Sequence, residues 1–184
     1  MSWGYKVVVR SKFVLSLAVA GLATVSLSAP AAQADGPQHC WLDVETGQSG
    51  CFGSFADLIW ELSEGTVQVS KGTSVLTEAQ RAELAVGPTA TYVIGQLFEN
   101  LNYGGDDKLI TASGDCDTNS DVDYSLGSMP SGWNDRVSSF KSYGLCATRI
   151  WENTNFGGAS YGFTVNSTYV GDAMNDRASS IQWN

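Results

Sequence analysis

The sequence predicts an all-β domain built from two copies of one motif, preceded by a small helix-containing extension. Three observations carry this. A polar string occurs twice, as Asn134-Asp135-Arg136-Val137-Ser138-Ser139 and as Asn175-Asp176-Arg177-Ala178-Ser179-Ser180. Each copy follows an aromatic-glycine string, Phe98-Glu99-Asn100-Leu101-Asn102-Tyr103-Gly104-Gly105 and then Trp151-Glu152-Asn153-Thr154-Asn155-Phe156-Gly157-Gly158. From Tyr92 onward, short apolar runs alternate with turns rich in Gly, Asn, Asp and Ser. The strict alternation of the two strings marks an internal duplication.

The chain opens with a basic start, Lys6, Arg10 and Lys12, then an apolar stretch from Phe13 to Leu27 and the small-residue sequence Ala32-Gln33-Ala34. This is the layout of an export signal, so residues 1–34 are expected to be removed and the protein to be secreted and extracellular. The apolar stretch is too short for a membrane anchor. Losing three basic residues leaves 7 of the 10 Lys+Arg against all 19 Asp+Glu, so the net charge moves from −9 to −12. Such a chain excludes charge-driven binding to nucleic acid or to anionic membrane and favours cations. We expect a monomer.

The extension, residues 35–90, holds the helical signals. Ser54 precedes Phe55, Leu58, Ile59 and Leu62 at i, i+3, i+4, i+7, with Gly65 as the stop. Thr77-Glu78-Ala79-Gln80 is a capping box opening a second helix that ends near Gly87-Pro88. Thr66 to Val69 alternates as a short strand does. In the repeats, Tyr92–Phe98 and Thr148–Trp151 are expected as first strands, and Val137–Tyr143 and Ala178–Trp183 as last strands. The first repeat carries about 12 extra residues, which we place around Ser113–Asp123.

Cys40, Cys51, Cys116 and Cys146 are an even set in an exported chain, which points to two disulfides. Four cysteines allow three pairings. We favour Cys40–Cys51, closing a short loop, and Cys116–Cys146, tying the insertion to the start of the second repeat. The one histidine, His39, and the lack of Cys-x-x-Cys argue against zinc.

The aromatic strings fit aromatic-x-x-x-x-aromatic-x-Gly, and the polar strings fit Asn/Asp-Asn/Asp-x-x-Ser/Thr-Ser. Together they resemble microbial βγ-crystallins of the calcium-binding type over residues 92–184. The organisation of the whole chain is similar to secreted bacterial proteins grouped with βγ-crystallin-type peptidase inhibitors, best known for metalloproteinase inhibition. The resemblance implies two Greek-key motifs, about 91–144 and 145–184, packed as a β-sandwich in a domain over residues 91–184. Trp133, Phe140, Ile181 and Trp183 are then core residues.

The same resemblance implies calcium. Calcium takes six to eight oxygen ligands. Asn134, Asp135 and Ser138, with Asn175, Asp176 and Ser179, offer side-chain oxygens, and Arg136 and Arg177 offer backbone carbonyls. The family pattern has one repeat's polar loop meeting the other repeat's hairpin, where Glu99 and Glu152 would give carbonyls. The first position is Asn in both copies, which lowers the charge of the site. A second acidic series, Asp115, Asp117, Asn119, Asp121 and Asp123, alternates like an EF-hand loop. It has Ser120 where that loop needs Gly and Leu126 where it needs Glu, so we read it as solvated.

No catalytic constellation is present: His39 stands alone, and neither His-Glu-x-x-His nor Gly-x-Ser-x-Gly occurs. The expectation is a non-enzymatic calcium-binding protein that inhibits an extracellular metallopeptidase through a braced loop at Asp115, Cys116, Asp117 and Thr118. The alternative is a structural, stress or cell-surface binding module without inhibition.

Overall fold

The computed structural model describes residues 36–87 and 90–184. The expected export signal lies outside these residues. His39–Asp43 (β1) and Ser49–Phe52 (β2) pair antiparallel, with Cys40 opposite Cys51. No periodicity in the sequence marks these strands, because runs of five and four residues are too short for alternation to register. Phe55–Leu62 (α1) starts where the Ser54 hydroxyl accepts the Asp57 N–H at 3.1 Å. Glu78–Leu84 (α2) starts at the capping box, with Gln80 N–H donating to Thr77 Oγ1 at 3.3 Å and Thr77 N–H to Gln80 Oε1 at 3.0 Å.

Thr66–Val69 is not a strand. The Val67 N–H donates instead to the Ser63 hydroxyl at 3.0 Å, and the Val67 side chain is buried among the helices. Its alternation therefore reflects a plug under α1 and not a paired edge.

The first repeat supplies Tyr92–Asn100 (β3), Gly104–Ala112 (β4), Tyr124–Leu126 (β5) and Ser139–Ser142 (β6). The second supplies Thr148–Asn153 (β7), Gly157–Thr164 (β8), Asn166–Ser167 (β9) and Ser180–Trp183 (β10). One sheet runs β2-β1-β4-β3-β6-β9 and the other β5-β10-β7-β8. Each repeat thus keeps its first, second and fourth strands in one sheet and sends its third into the other. That exchange makes two Greek keys into one β-sandwich.

The core between the sheets contains Ile94, Leu97, Phe140, Ile150, Ile181 and Trp183, all fully buried, with Trp133 nearly so. A second core lies on the outer face of the six-stranded sheet, where Phe55, Leu58, Ile59 and Leu84 meet Val93, Leu109 and Tyr143. The extension is therefore not a separate cap. β1 pairs in parallel with β4, and residues Asp35–Asn184 form one unit.

Both favoured disulfides are present, Cys40–Cys51 and Cys116–Cys146. The second anchors the long connection between β4 and β5, where the sequence places the insertion.

Candidate metal centre

The hairpins are held by local chemistry that is the same in both repeats. Asn102 and Tyr103, and likewise Asn155 and Phe156, take positive φ at the turn. The closing glycines, Gly105 and Gly158, have φ of +77° and +75°, and an added Cβ would lie 2.5 Å from Asn100 Nδ2 and 2.7 Å from Asn153 Nδ2. Only glycine fits there without strain. The last serine of each polar string then locks the fold of the hairpin. Ser139 Oγ donates to the Asn100 carbonyl at 2.6 Å and accepts the Tyr103 N–H at 3.1 Å. Ser180 does the same with Asn153 at 2.6 Å and Phe156 at 3.0 Å. The motif pattern contains these serines, but the list of expected ligands passes over them. Their invariant place in both copies is the signal that could have found them.

The two polar strings meet each other across the sandwich. Asp135 N–H donates to the Ala178 carbonyl at 3.0 Å, and Asp176 N–H to the Val137 carbonyl at 3.3 Å. Asp135 and Asp176 themselves have φ of +57° and +54°, which turns their side chains out of strand geometry. As a result Ser138 Oγ lies 3.2 Å from Asp176 Oδ1, and Ser179 Oγ lies 3.4 Å from Asp135 Oδ1. Each serine faces the aspartate of the opposite repeat.

The side chains of Glu99 and Glu152 pair with arginines of their own repeats. Arg136 Nη2 binds Glu99 Oε1 at 2.6 Å, and Arg177 binds Glu152. Each polar string therefore meets the hairpin of its own repeat. What crosses between repeats is the aspartate. The reason is strand pairing: the fourth strand of each key is hydrogen-bonded to its own first strand, so string and hairpin stay together. Asn134 and Asn175 stand beside the aspartates of their own strings. Their amides donate to the outer carboxylate oxygens, Asp135 Oδ2 at 2.6 Å and Asp176 Oδ2 at 2.7 Å, and so orient the aspartates.

The donor set suits a hard cation, within limits. Among the described residues no three His, Cys, Asp or Glu side chains gather as for a metal ion. Each centre brings together one carboxylate and one hydroxyl. Two ligands of one calcium, each about 2.3–2.6 Å from the ion, can stand as far apart as the serine and aspartate oxygens do here. The first centre opens into a depression of about 700 Å³ lined by Glu99, Leu101, Arg136, Ser138, Tyr169 and Asp176, among others.

The expected inhibitory loop is only half available. Asp115 turns inward, binding Arg81 of α2 and accepting the Leu145 N–H at 3.1 Å. Cys116 is buried in its disulfide. Asp117 and Thr118 are exposed. The acidic series spends its oxygens on its own backbone, with Asn119 N–H on Asp117 Oδ1 at 2.8 Å and Asp121 N–H on Asn119 Oδ1 at 2.6 Å.

His39, which stands alone in the sequence, is built into the sheet. It lies in β1 opposite Asp107 of β4, with Nδ1 2.5 Å from Asp107 Oδ2. Burial raises the Asp107 carboxyl above the usual carboxylate range, and the contact with His39 works against that rise.

No family model and no curated protein matches the chain. Among solved structures it is similar to a βγ-crystallin domain from Clostridium beijerinckii, at 23% identity over 49% of this chain and 95% of that one, with a TM-score of 0.38. It is also similar to a βγ-crystallin domain from Flavobacterium johnsoniae, at 22% identity over 50% of this chain and 93% of that one, with a TM-score of 0.36. By its own strand order and exchanged third strands, the chain has a βγ-crystallin-like β-sandwich fold, extended at one sheet edge by an N-terminal strand pair.

Proposed function

We propose that this is a secreted, non-enzymatic protein of the βγ-crystallin superfamily that binds calcium at two centres. One centre uses Ser138, Asp176 and the carbonyls of Arg136 and Glu99. The other uses Ser179, Asp135 and the carbonyls of Arg177 and Glu152. Bound calcium would tie the two Greek keys together through hard-oxygen ligation. The observation that carries this reading is the reciprocal approach of each serine to the other repeat's aspartate. Two disulfides suit an oxidising compartment, and among the described residues no helix is long and apolar enough to cross a membrane. The test is calorimetric titration of chelator-treated, folded protein. About two calcium equivalents are expected, because the ligand string occurs twice. No calcium heat would end the metal reading.

Peptidase inhibition is a second reading, favoured by the bracing of one loop. The Cys116–Cys146 disulfide and the Arg81–Asp115 pair hold the base of the segment while Asp117–Asp121 stays exposed. A pre-ordered loop docks at lower entropic cost. If the protein inhibits a secreted metallopeptidase, deleting Asp117–Asp121 should abolish inhibition and leave calcium binding intact. Inhibition that survives the deletion removes the loop from the reading.

A further inference from the structure

The one histidine of the chain lines a concavity of about 780 Å³ between the extension and the first hairpin. Its walls are the start of β1 (Pro37, His39), the start of α1 (Ser54–Asp57), the turn Lys71–Ser74, and Tyr103–Gly105. Each wall is fixed from behind. Asp107, fully buried, holds the His39 ring by Nδ1. Buried Gln96 donates to the Ser74 carbonyl at 2.8 Å and accepts the Tyr143 hydroxyl at 2.9 Å. Ser54 caps α1, and Ser139 locks the turn that carries Tyr103. The cavity is therefore formed before any ligand arrives.

Several groups at this cavity have no partner among the described residues. His39 Nε2 makes no hydrogen bond and is not among the buried unpartnered atoms, and His39 lines the cavity. The Tyr103 hydroxyl, the Lys71 ammonium and the Thr73 hydroxyl are likewise unbonded, and Lys71 is in no ion pair. With Nδ1 held on Asp107 Oδ2, Nε2 is the ring nitrogen left for a ligand. The lining therefore sets that nitrogen beside an ammonium and two hydroxyls. Its charges balance, with Lys71 against Asp57, and the chain as a whole is acidic at −9. A free anion finds no net attraction here. The apolar lining is slight, since Phe55 is buried and the rest is Pro37, Ala56 and the Tyr103 ring.

From this arrangement we infer that the cavity binds a neutral polyhydroxyl ligand, a mono- or oligosaccharide, with one hydroxyl donating to His39 Nε2 and others accepting from Lys71 and Tyr103. A hydroxyl is the neutral group that both donates and accepts, which is what this mixed lining requires. The site is separate from the candidate calcium centres and does not depend on them.

A single histidine makes a clean magnetic-resonance reporter. Long-range proton–nitrogen correlation on the full secreted chain should show the Nδ1–H tautomer with Nε2 bare. Titration with glucose, N-acetylglucosamine and maltotriose should then move the His39 ring signals for at least one sugar. Replacing His39 would strand the Asp107 carboxylate, so the test variants are Lys71→Ala and Tyr103→Phe. Each should keep the wild-type melting temperature and weaken that sugar by roughly three- to tenfold, the loss of one hydrogen bond. An Nε2–H tautomer would overturn the proposal. So would His39 signals that no sugar moves up to its solubility limit, or that respond equally to acetate, inorganic phosphate or triglycine.

Discussion

The two repeats share one motif and live in different surroundings. In the second, the outer face of the sheet is open: β7 alternates buried and half-buried residues over Thr148–Trp151, and no residue of β8 is fully buried. In the first, residues Val93–Phe98 of β3 are buried without interruption, because α1 and α2 cover one face while the other sheet covers the opposite one. The hairpin and serine lock are nevertheless the same in both. The motif is therefore made by local backbone chemistry, and the surroundings add stability without redrawing it. A further difference lies at the candidate metal centres. Glu99 and Asp106 share Arg136, whereas Arg177 has only Glu152, since Ala159 stands where Asp106 does. The first centre keeps one more negative charge.

The largest expected effect breaks the comparison at its covered face. Phe55→Ala should cost about 3–5 kcal/mol, because the ring is almost wholly buried, edge-on to His39, in the core shared with Val93 and Leu109. Phe163→Ala on the open face of β8, half-buried with Arg149 over its ring, should cost on the order of 1 kcal/mol. Urea melts of the two variants check this. Equal losses would mean that the extension contributes little to the first repeat.

Next come the serine locks. Ser139→Ala and Ser180→Ala each strand a backbone carbonyl and an N–H at a fully buried site, for about 2–3 kcal/mol apiece. The two losses should match. Unequal losses, read by thermal or urea unfolding, would show that the copies differ inside the motif itself.

At the metal centres the proposed sharing predicts a pattern of coupling. Ser138→Ala and Asp176→Ala should damage one calcium site and behave as a coupled pair, whereas Ser138→Ala and Asp135→Ala should damage both and add. Calcium at about a hundredfold over its dissociation constant should stabilise the intact protein by about 2.7 kcal/mol per site. Calorimetry on the three single and two double variants decides it, and additivity of Ser138 with Asp176 would sink the cross-repeat assignment. The smallest effect belongs to Asp106→Ala. Removing that charge should weaken the first centre by about threefold, as for a unit charge several ångströms away in a wet site, and bring it level with the second.

The sequence by itself determined the repeats, their glycine and serine positions and both helix starts. These are local matters. A positive-φ glycine, a capping box or a repeated string acts within a few residues, so the chain states it directly. Only the tertiary structure decided the rest. Two strands of the extension join the first repeat's sheet, which no short run such as Ser49–Phe52 announces. Asp135 faces Ser179 and Asp176 faces Ser138, 44 and 38 positions apart, because the keys exchange strands. His39 meets Asp107 across 68 positions through the register of a parallel pair. Contacts of this kind depend on which strands become neighbours, and that is settled by burying two sheets and two helices around shared cores, not by any residue's own preference.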